Sequence, residues 1–201
     1  MNLPNKITLS RICMIPVFVL FFYLDVMPYN ELVAAIIFVV AASTDFLDGY
    51  IARSRNLVTN LGKFLDPIAD KVLVSTAFIL LLTRSWIFEI SFLGGWGTIV
   101  AGIFVAIILA RELIVSGFRM IAAGRNLVLA ADKLGKIKTV SQDIAIALIL
   151  AAMPFVGSTA GVVIAIIGIV FFVLCTVLTV LSGVNYIVRN KQVLKDEEAA
   201  A

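Results

Sequence analysis

Long apolar runs separated by short polar breaks constrain this chain more than any other feature. A membrane-spanning helix needs about 20 mostly apolar residues. Six segments qualify, with ends soft by a few residues: 9–25, 31–53, 63–83, 97–121, 136–153 and 158–188. The breaks carry turn chemistry, in Asp25 to Asn30 with Pro28, Gly94-Gly95 with Gly97, and Pro154 with Gly157. Composition agrees, since 62% of the 201 residues are hydrophobic and only 14% charged, where soluble domains are about half apolar. The expected fold is an all-α membrane protein, a single domain over 1–201. It has six transmembrane helices behind a short N-terminal interfacial segment. The run Ile12 to Leu24 is followed by Asp25 and Pro28 without a small-residue cleavage site, so it reads as a retained first helix and not as a signal peptide.

Basic residues set the expected orientation. Both termini are placed inside. The inner side then receives Lys6, Arg11, Arg53, Arg55 and Lys63, then Arg119, Arg125, Lys133, Lys136 and Lys138, and finally Arg189, Lys191 and Lys195. The outer side receives only Arg84, with Trp86 and Trp96 flanking the outer loop as an aromatic belt. This asymmetry accounts for most of the formal net charge of +3 without invoking a nucleic acid partner. A basic inner surface also suits anionic lipid headgroups and phosphorylated substrates. Ordinary anchoring accounts for Arg125 and Lys138. The chain has no histidine. That excludes His-ligated zinc and leaves carboxylate, Lys, Tyr or Cys as a general base. Cys13 and Cys175 lie in apolar runs and read as packing residues.

The chemistry concentrates in Ser43 to Lys71, where Asp45, Asp48, Asp66 and Asp70 interrupt apolar helices. Ionisable groups at membrane depth are costly and mark function. At ~100° per residue, Asp45, Asp48, Gly49, Ala52 and Arg53 share one helical face, and Gly62, Asp66 and Asp70 share one face of the next helix. The short loop between makes the helices antiparallel neighbours, so the acidic faces meet near the inner membrane surface. Four converging carboxylates need compensation to stay ionised. Hard divalent cations such as Mg²⁺, Mn²⁺ or Ca²⁺ provide it, and two of them would clamp phosphoryl chemistry. Gly49, Ala52 and Gly62 clear space for a flat base or a pyrophosphate. The competing explanation is simple pairing with Lys63, Lys71, Arg53 or Arg55, which suits a lone aspartate better than four in register.

The pattern Asp45-x-x-Asp48-Gly49-x-x-Ala52-Arg53, eight residues, Gly62-x-x-x-Asp66-x-x-x-Asp70 reproduces the signature of the CDP-alcohol phosphatidyltransferases, which the chain resembles over its whole length. The resemblance implies two divalent metal ions, Mg²⁺ or Mn²⁺, on Asp45, Asp48 and Asp66. Asp70 would be the general base and also touch the metals. It places Gly49, Ala52, Arg53 and Gly62 around the CDP group, and Asn5 and Thr8 either beside the nucleotide or as caps of the interfacial segment. It further implies a homodimer among membrane lipids in a bacterial cell membrane, with the site facing the cytoplasm.

A second stretch, Ala110 to Arg119, bears on the acceptor. Arg111 and Arg119 lie about 80° apart on one helix and can face one pocket, and Glu112, Ser116 and Arg119 share a face. Lys133 to Thr139 adds further cations, Lys136 among them. Arginine grips phosphate with a planar fork, so an anionic acceptor is expected. These elements, with Pro4 to Arg11, resemble bacterial phosphatidylglycerophosphate synthases, although Phe118 stands where a leucine is expected. The resemblance implies transfer of the phosphatidyl group from CDP-diacylglycerol to sn-glycerol 3-phosphate, giving phosphatidylglycerophosphate and CMP. Rivals are a sister enzyme using serine, an inositol phosphate or phosphatidylglycerol, and, more remotely, a divalent-cation transporter or a purely structural membrane protein. Asp143 with Gln142 reads as structural, and Gly157-x-x-x-Gly161-x-x-x-Ala165 reads as a helix-packing face within a protomer or across a dimer.

Overall fold

The computed structural model describes residues 3–24, 29–54, 60–84, 86–90, 94–124 and 133–191. For 3–4, 45–54, 60–64, 66–67, 94, 123–124 and 133 the description covers the backbone alone. These residues form α1 (Leu3–Tyr23), α2 (Asn30–Ser54), α3 (Asn60–Thr83), the short α4 (Trp86–Glu89), α5 (Gly97–Gly124), α6 (Lys133–Ala152) and α7 (Thr159–Arg189). Single 3-10 turns lie at Gly94–Trp96 and Met153–Phe155. No strand occurs among the described residues. The fold is all-α, and its six long helices coincide with the six expected segments. Among the described residues, the apolar stretches of α1, α5, α6 and α7 are long enough to cross a membrane, and α2 adds a shorter one, Asn30–Thr44.

α7 shows what solvent these helices are built for. Its buried residues are mostly small or polar, including Gly161, Ala165, Gly168, Thr176, Thr179 and Ser182. Its outward residues include Val163, Val170, Val177 and Val184. A water-soluble helix sorts its residues the other way. Small residues inside and branched apolar residues outside are the pattern of helices packed in lipid. The interior hydroxyls bond locally, Thr176 Oγ1 to the Phe172 carbonyl at 2.9 Å and Thr179 Oγ1 to the Cys175 carbonyl at 2.6 Å. The hydrogen-bonding capacity of these two hydroxyls is thereby met within the helix.

The termini of α7 follow from its sequence. Ser158 caps the start, its Oγ accepting from the Gly161 amide at 3.1 Å. Arg189 lies in the last turn, and Asn190 Nδ2 donates to the Tyr186 carbonyl at 2.8 Å. The tight turn before α7 requires Gly161, because a Cβ there would overlap the Phe155 carbonyl. The expected Gly157–Gly161–Ala165 packing face therefore holds within the protomer at Gly161 and at buried Ala165, whereas a Cβ on Gly157 would meet nothing within 4 Å. Further along, Gly168 lets α6 and α7 approach. A Cβ there would stand 2.8 Å from Ile149 Cγ1 and 3.1 Å from the Ile149 backbone nitrogen.

α1 packs against both α2 and α3. Phe18 meets Phe38 of α2 with ring centroids 6.0 Å apart. Arg11 is fully buried, and its Nε donates to the Ala41 carbonyl and to Thr44 Oγ1, each at 3.2 Å. It is thus a tie between α1 and α2, not one of the surface cations its place near the inner end suggested. Among the described residues the N-terminal segment is continuous with the first spanning helix, since α1 runs unbroken from Leu3. Asn5 and Thr8 are buried inside that helix and make interactions there, so neither is a cap. Cys175 is buried as expected, but Cys13 is exposed on the outer face of α1.

Gly168→Val should destabilise the protein by about 1–3 kcal/mol, the usual cost of overpacking a filled interface. Gly157→Val should not. Thermal unfolding of both variants in detergent checks the pair.

Candidate active site

Four helices, α3, α5, α6 and α7, converge on a cavity of about 290 Å³. Its lining includes Asp70 from α3, Arg111 and Arg119 from α5, and Lys136 from α6. Sequence periodicity fixed the angle between Arg111 and Arg119 on one helix, and the packing brings Asp70 and Lys136 to the same space. Lys71, Glu112, Ser116 and Tyr186 complete the polar wall.

Arg111 is the most constrained of the cations. Its Nη2 donates to Ser182 Oγ of α7 at 3.0 Å, and its Nη1 lies 3.0 Å from Glu112 Oε1. Its buried Nε has no hydrogen-bond partner among the described residues. Room for the Arg111 stem comes from Gly183, where a Cβ would stand 3.0 Å from Arg111 Cγ, whereas a Cβ on Gly135 would make only an ordinary 3.9 Å contact with Nη2. Arg119 is more exposed. Its Nε donates to the Tyr186 hydroxyl at 3.3 Å, and its guanidinium carbon lies 5.5 Å from the Tyr186 ring centroid. Tyr186 is in turn held edge-on by Phe118, with centroids 6.1 Å apart. The departure from leucine at position 118 therefore supplies an aromatic buttress to the wall.

Lys138 was expected to be an anchoring cation at the membrane surface. It is instead almost fully buried, at 2% exposure, and its Nζ meets Glu112 Oε1 at 2.5 Å. One carboxylate oxygen thus bridges two cations on two helices. Around the cavity, Lys71, Arg111, Arg119 and Lys136 stand against Asp70 and Glu112, a formal surplus of +2. Such a wall attracts a doubly charged anion. Reasoning from the sequence missed Lys138, Ser182 and Tyr186. Their only signal was the turn-by-turn recurrence of polar residues on α7 and of lysines on α6.

The acidic pattern lies on packed helices. Asp45 and Asp48 are in α2, Asp66 and Asp70 in α3, and the two helices contact one another. Helical backbone through these positions keeps Asp45 with Asp48, and Asp66 with Asp70, about one turn apart. The side chains of Asp45, Asp48, Gly49, Ala52, Arg53, Gly62 and Asp66 lie outside the described residues. Asp70 is half-buried at the cavity edge. An all-carboxylate donor set of this kind suits hard divalent cations. Asn5 and Thr8 lie on α1, which packs against both acidic helices.

Comparison with known proteins bears on this arrangement. The family model of the CDP-alcohol phosphatidyltransferases matches residues 1–181. Among curated relatives, a Bacillus subtilis CDP-diacylglycerol–glycerol-3-phosphate 3-phosphatidyltransferase is 42% identical, covering 96% of this chain and 97% of its own length. Proteins of the same name are 39% identical in Rickettsia bellii, with 92% and 93% covered, and 38% identical in Shigella flexneri serotype 5b, with 98% of each covered. With its aspartate pattern on two packed helices and a family match over most of its length, the chain belongs to the CDP-alcohol phosphatidyltransferases.

Proposed function

We propose that this protein transfers the phosphatidyl group of CDP-diacylglycerol to sn-glycerol 3-phosphate, forming phosphatidylglycerophosphate and CMP. The observation that carries this reading is the single cavity where Asp70 meets Arg111, Arg119 and Lys136. A carboxylate able to take a proton lies beside a wall able to hold a phosphate. The names of the full-length relatives point to the same pair of substrates.

The residues divide the work as follows. Arg111, Arg119 and Lys136 hold the acceptor phosphate, with Arg111 already oriented by Ser182 and Glu112. Asp70 accepts the proton of the acceptor's primary hydroxyl as its oxygen attacks the phosphorus next to diacylglycerol. The new oxygen–phosphorus bond forms, the bond to the CMP oxygen breaks, and CMP leaves with that electron pair. Asp45, Asp48 and Asp66, together with Asp70, would hold two divalent cations, Mg²⁺ or Mn²⁺. When bound, these supply charge neutralisation to the pyrophosphate and to the departing CMP. Gly49, Ala52, Arg53 and Gly62 line the CDP group, with Asn5 and Thr8 beside it. A net positive acceptor wall is the wrong sign for a cation transporter.

The same reading places six crossings of one membrane domain in a bacterial cell membrane, both ends and the site at the cytoplasmic face, and the protein as a homodimer in lipid. The acyl chains of the donor then stay in the bilayer while its headgroup reaches the aspartates.

Purified protein given CDP-diacylglycerol and Mg²⁺ should release CMP with sn-glycerol 3-phosphate, and not with serine or inositol phosphate. Release driven by another alcohol would overturn the acceptor assignment. Asp70→Asn should lower kcat by about 10²–10⁴-fold, the usual share of a general base. Asp45→Asn, Asp48→Asn and Asp66→Asn should each remove activity from folded protein, as should EDTA, with Mn²⁺ or Mg²⁺ restoring the wild type. Arg111→Ala and Arg119→Ala should raise KM for glycerol 3-phosphate by roughly 10–100-fold, the equivalent of a charge-assisted hydrogen bond, and leave KM for CDP-diacylglycerol little changed. Orientation is checked by an impermeant maleimide on intact cells, in a background lacking Cys13 and Cys175. A cysteine at Trp96 should label and one at Lys191 should not.

A further inference from the structure

Next to the acceptor cavity, a much smaller pocket opens between α3, α5 and α6. The two share Asp70, Lys71, Glu112 and Thr139. The free volume of the inner pocket is about 20 Å³, room for one water-sized group. Val74, Ile108 and Leu109 make its apolar walls, and Ser75 and Gln142 contribute polar groups. Gln142 is 3% exposed, and its Oε1 is buried with no hydrogen-bond partner among the described residues. An unmatched carboxamide oxygen inside a helix bundle is costly, and such atoms are nearly always satisfied in the working protein. A carboxamide can turn either end toward a hydroxyl, which both donates and accepts.

We infer that this inner pocket is a hydroxyl subsite of the acceptor, in which Gln142 binds the secondary hydroxyl of the glycerol phosphate. The inference rests on the acceptor reading above. Asp70 borders both spaces, so an acceptor whose primary hydroxyl lies at Asp70 has its next carbon at the mouth of the inner pocket. The substituent on that carbon must then be no larger than a hydroxyl. Serine carries an ammonium and a carboxylate on that one carbon, the carboxylate taking the place of the phosphate-bearing arm. The inner pocket holds Asp70 and Glu112 against Lys71 and Lys138, a formal charge of zero, so it discriminates by size and hydrogen bonding and the acceptor's charge is read by the outer wall. The pocket therefore selects a hydroxyl on that carbon by size and by one hydrogen bond, and Gln142 is a specificity-determining residue.

The test compares sn-glycerol 3-phosphate with 3-hydroxypropyl phosphate, the same acceptor without its secondary hydroxyl, on the full-length enzyme with CDP-diacylglycerol. The wild type should favour glycerol 3-phosphate in kcat/KM by at least about tenfold, because a site built to bind a hydroxyl rejects the analogue that lacks it. Gln142→Met, of similar length but without the amide, should bring that ratio most of the way to one. Gln142→Asn keeps the amide and withdraws it by one methylene, so it should also lower the ratio and serves if the Met variant does not fold. A purely structural glutamine would alter overall activity or stability and leave the ratio as it was. Equal use of the two phosphates by the wild type, or an unchanged ratio in the folded variants, overturns the subsite and leaves the pocket to an ordered water. Use of neither phosphate, with release driven by another alcohol, overturns the acceptor reading and the subsite together.

Discussion

Glu112 Oε1, held between Arg111 and Lys138, is the contact on which the cavity depends. The carboxylate is half-buried at the cavity and holds two cations at once, so removing one of them leaves its charge compensated by the other alone. The contact joins α5 to α6, and Arg111 extends it to α7 through Ser182. Three helices are thus fixed against each other by the residues that also define the cavity wall. The phosphate proposed for this cavity would meet a guanidinium already oriented, so little reorganisation would accompany its binding.

The cluster is possible because lipid, not water, surrounds the bundle. With branched apolar residues turned outward on α7 and small or hydroxylated residues turned inward, the interior is the polar side of the protein. Two glycines of α7 divide the work. Gly168 lets α6 approach closely, as small residues do in membranes, and Gly183 leaves the Arg111 side chain its space. Packing and site construction use the same helix, so the cavity arises where the small faces of α6 and α7 meet α5.

Much of this was legible in the sequence because helical periodicity fixes angles within one element. Arg111 with Arg119, and Asp66 with Asp70, were placed by counting, and the long helices by their apolar length. What was not legible depends on which helix lies beside which. Lys138 read as a surface anchor because counting charges assigns a side of the membrane and says nothing about burial. The structure puts α6 next to α5, and Glu112 captures it. Arg11 was misread for the same reason, since only the packing of α1 on α2 offers it the Ala41 carbonyl and Thr44. Asn5 and Thr8 read as candidate caps because such residues commonly end helices. Both are instead buried within α1, which runs on through them.

The two charged regions must coexist without cancelling, and the helices arrange this by separation. The carboxylates of the signature occur on α2 and α3, and the cations of the wall mainly on α5 and α6, with Asp70 at the boundary. If Glu112 were free it would compete with an incoming phosphate for Arg111 and Arg119. Bound to Lys138, its charge is largely engaged, and the surplus around the cavity remains positive. Lys138 therefore acts on the cavity without belonging to its wall, by engaging Glu112, one of the two carboxylates in that wall. A membrane protein with no histidine can in this way keep the carboxylate proposed to accept the proton beside the wall proposed to hold the phosphate.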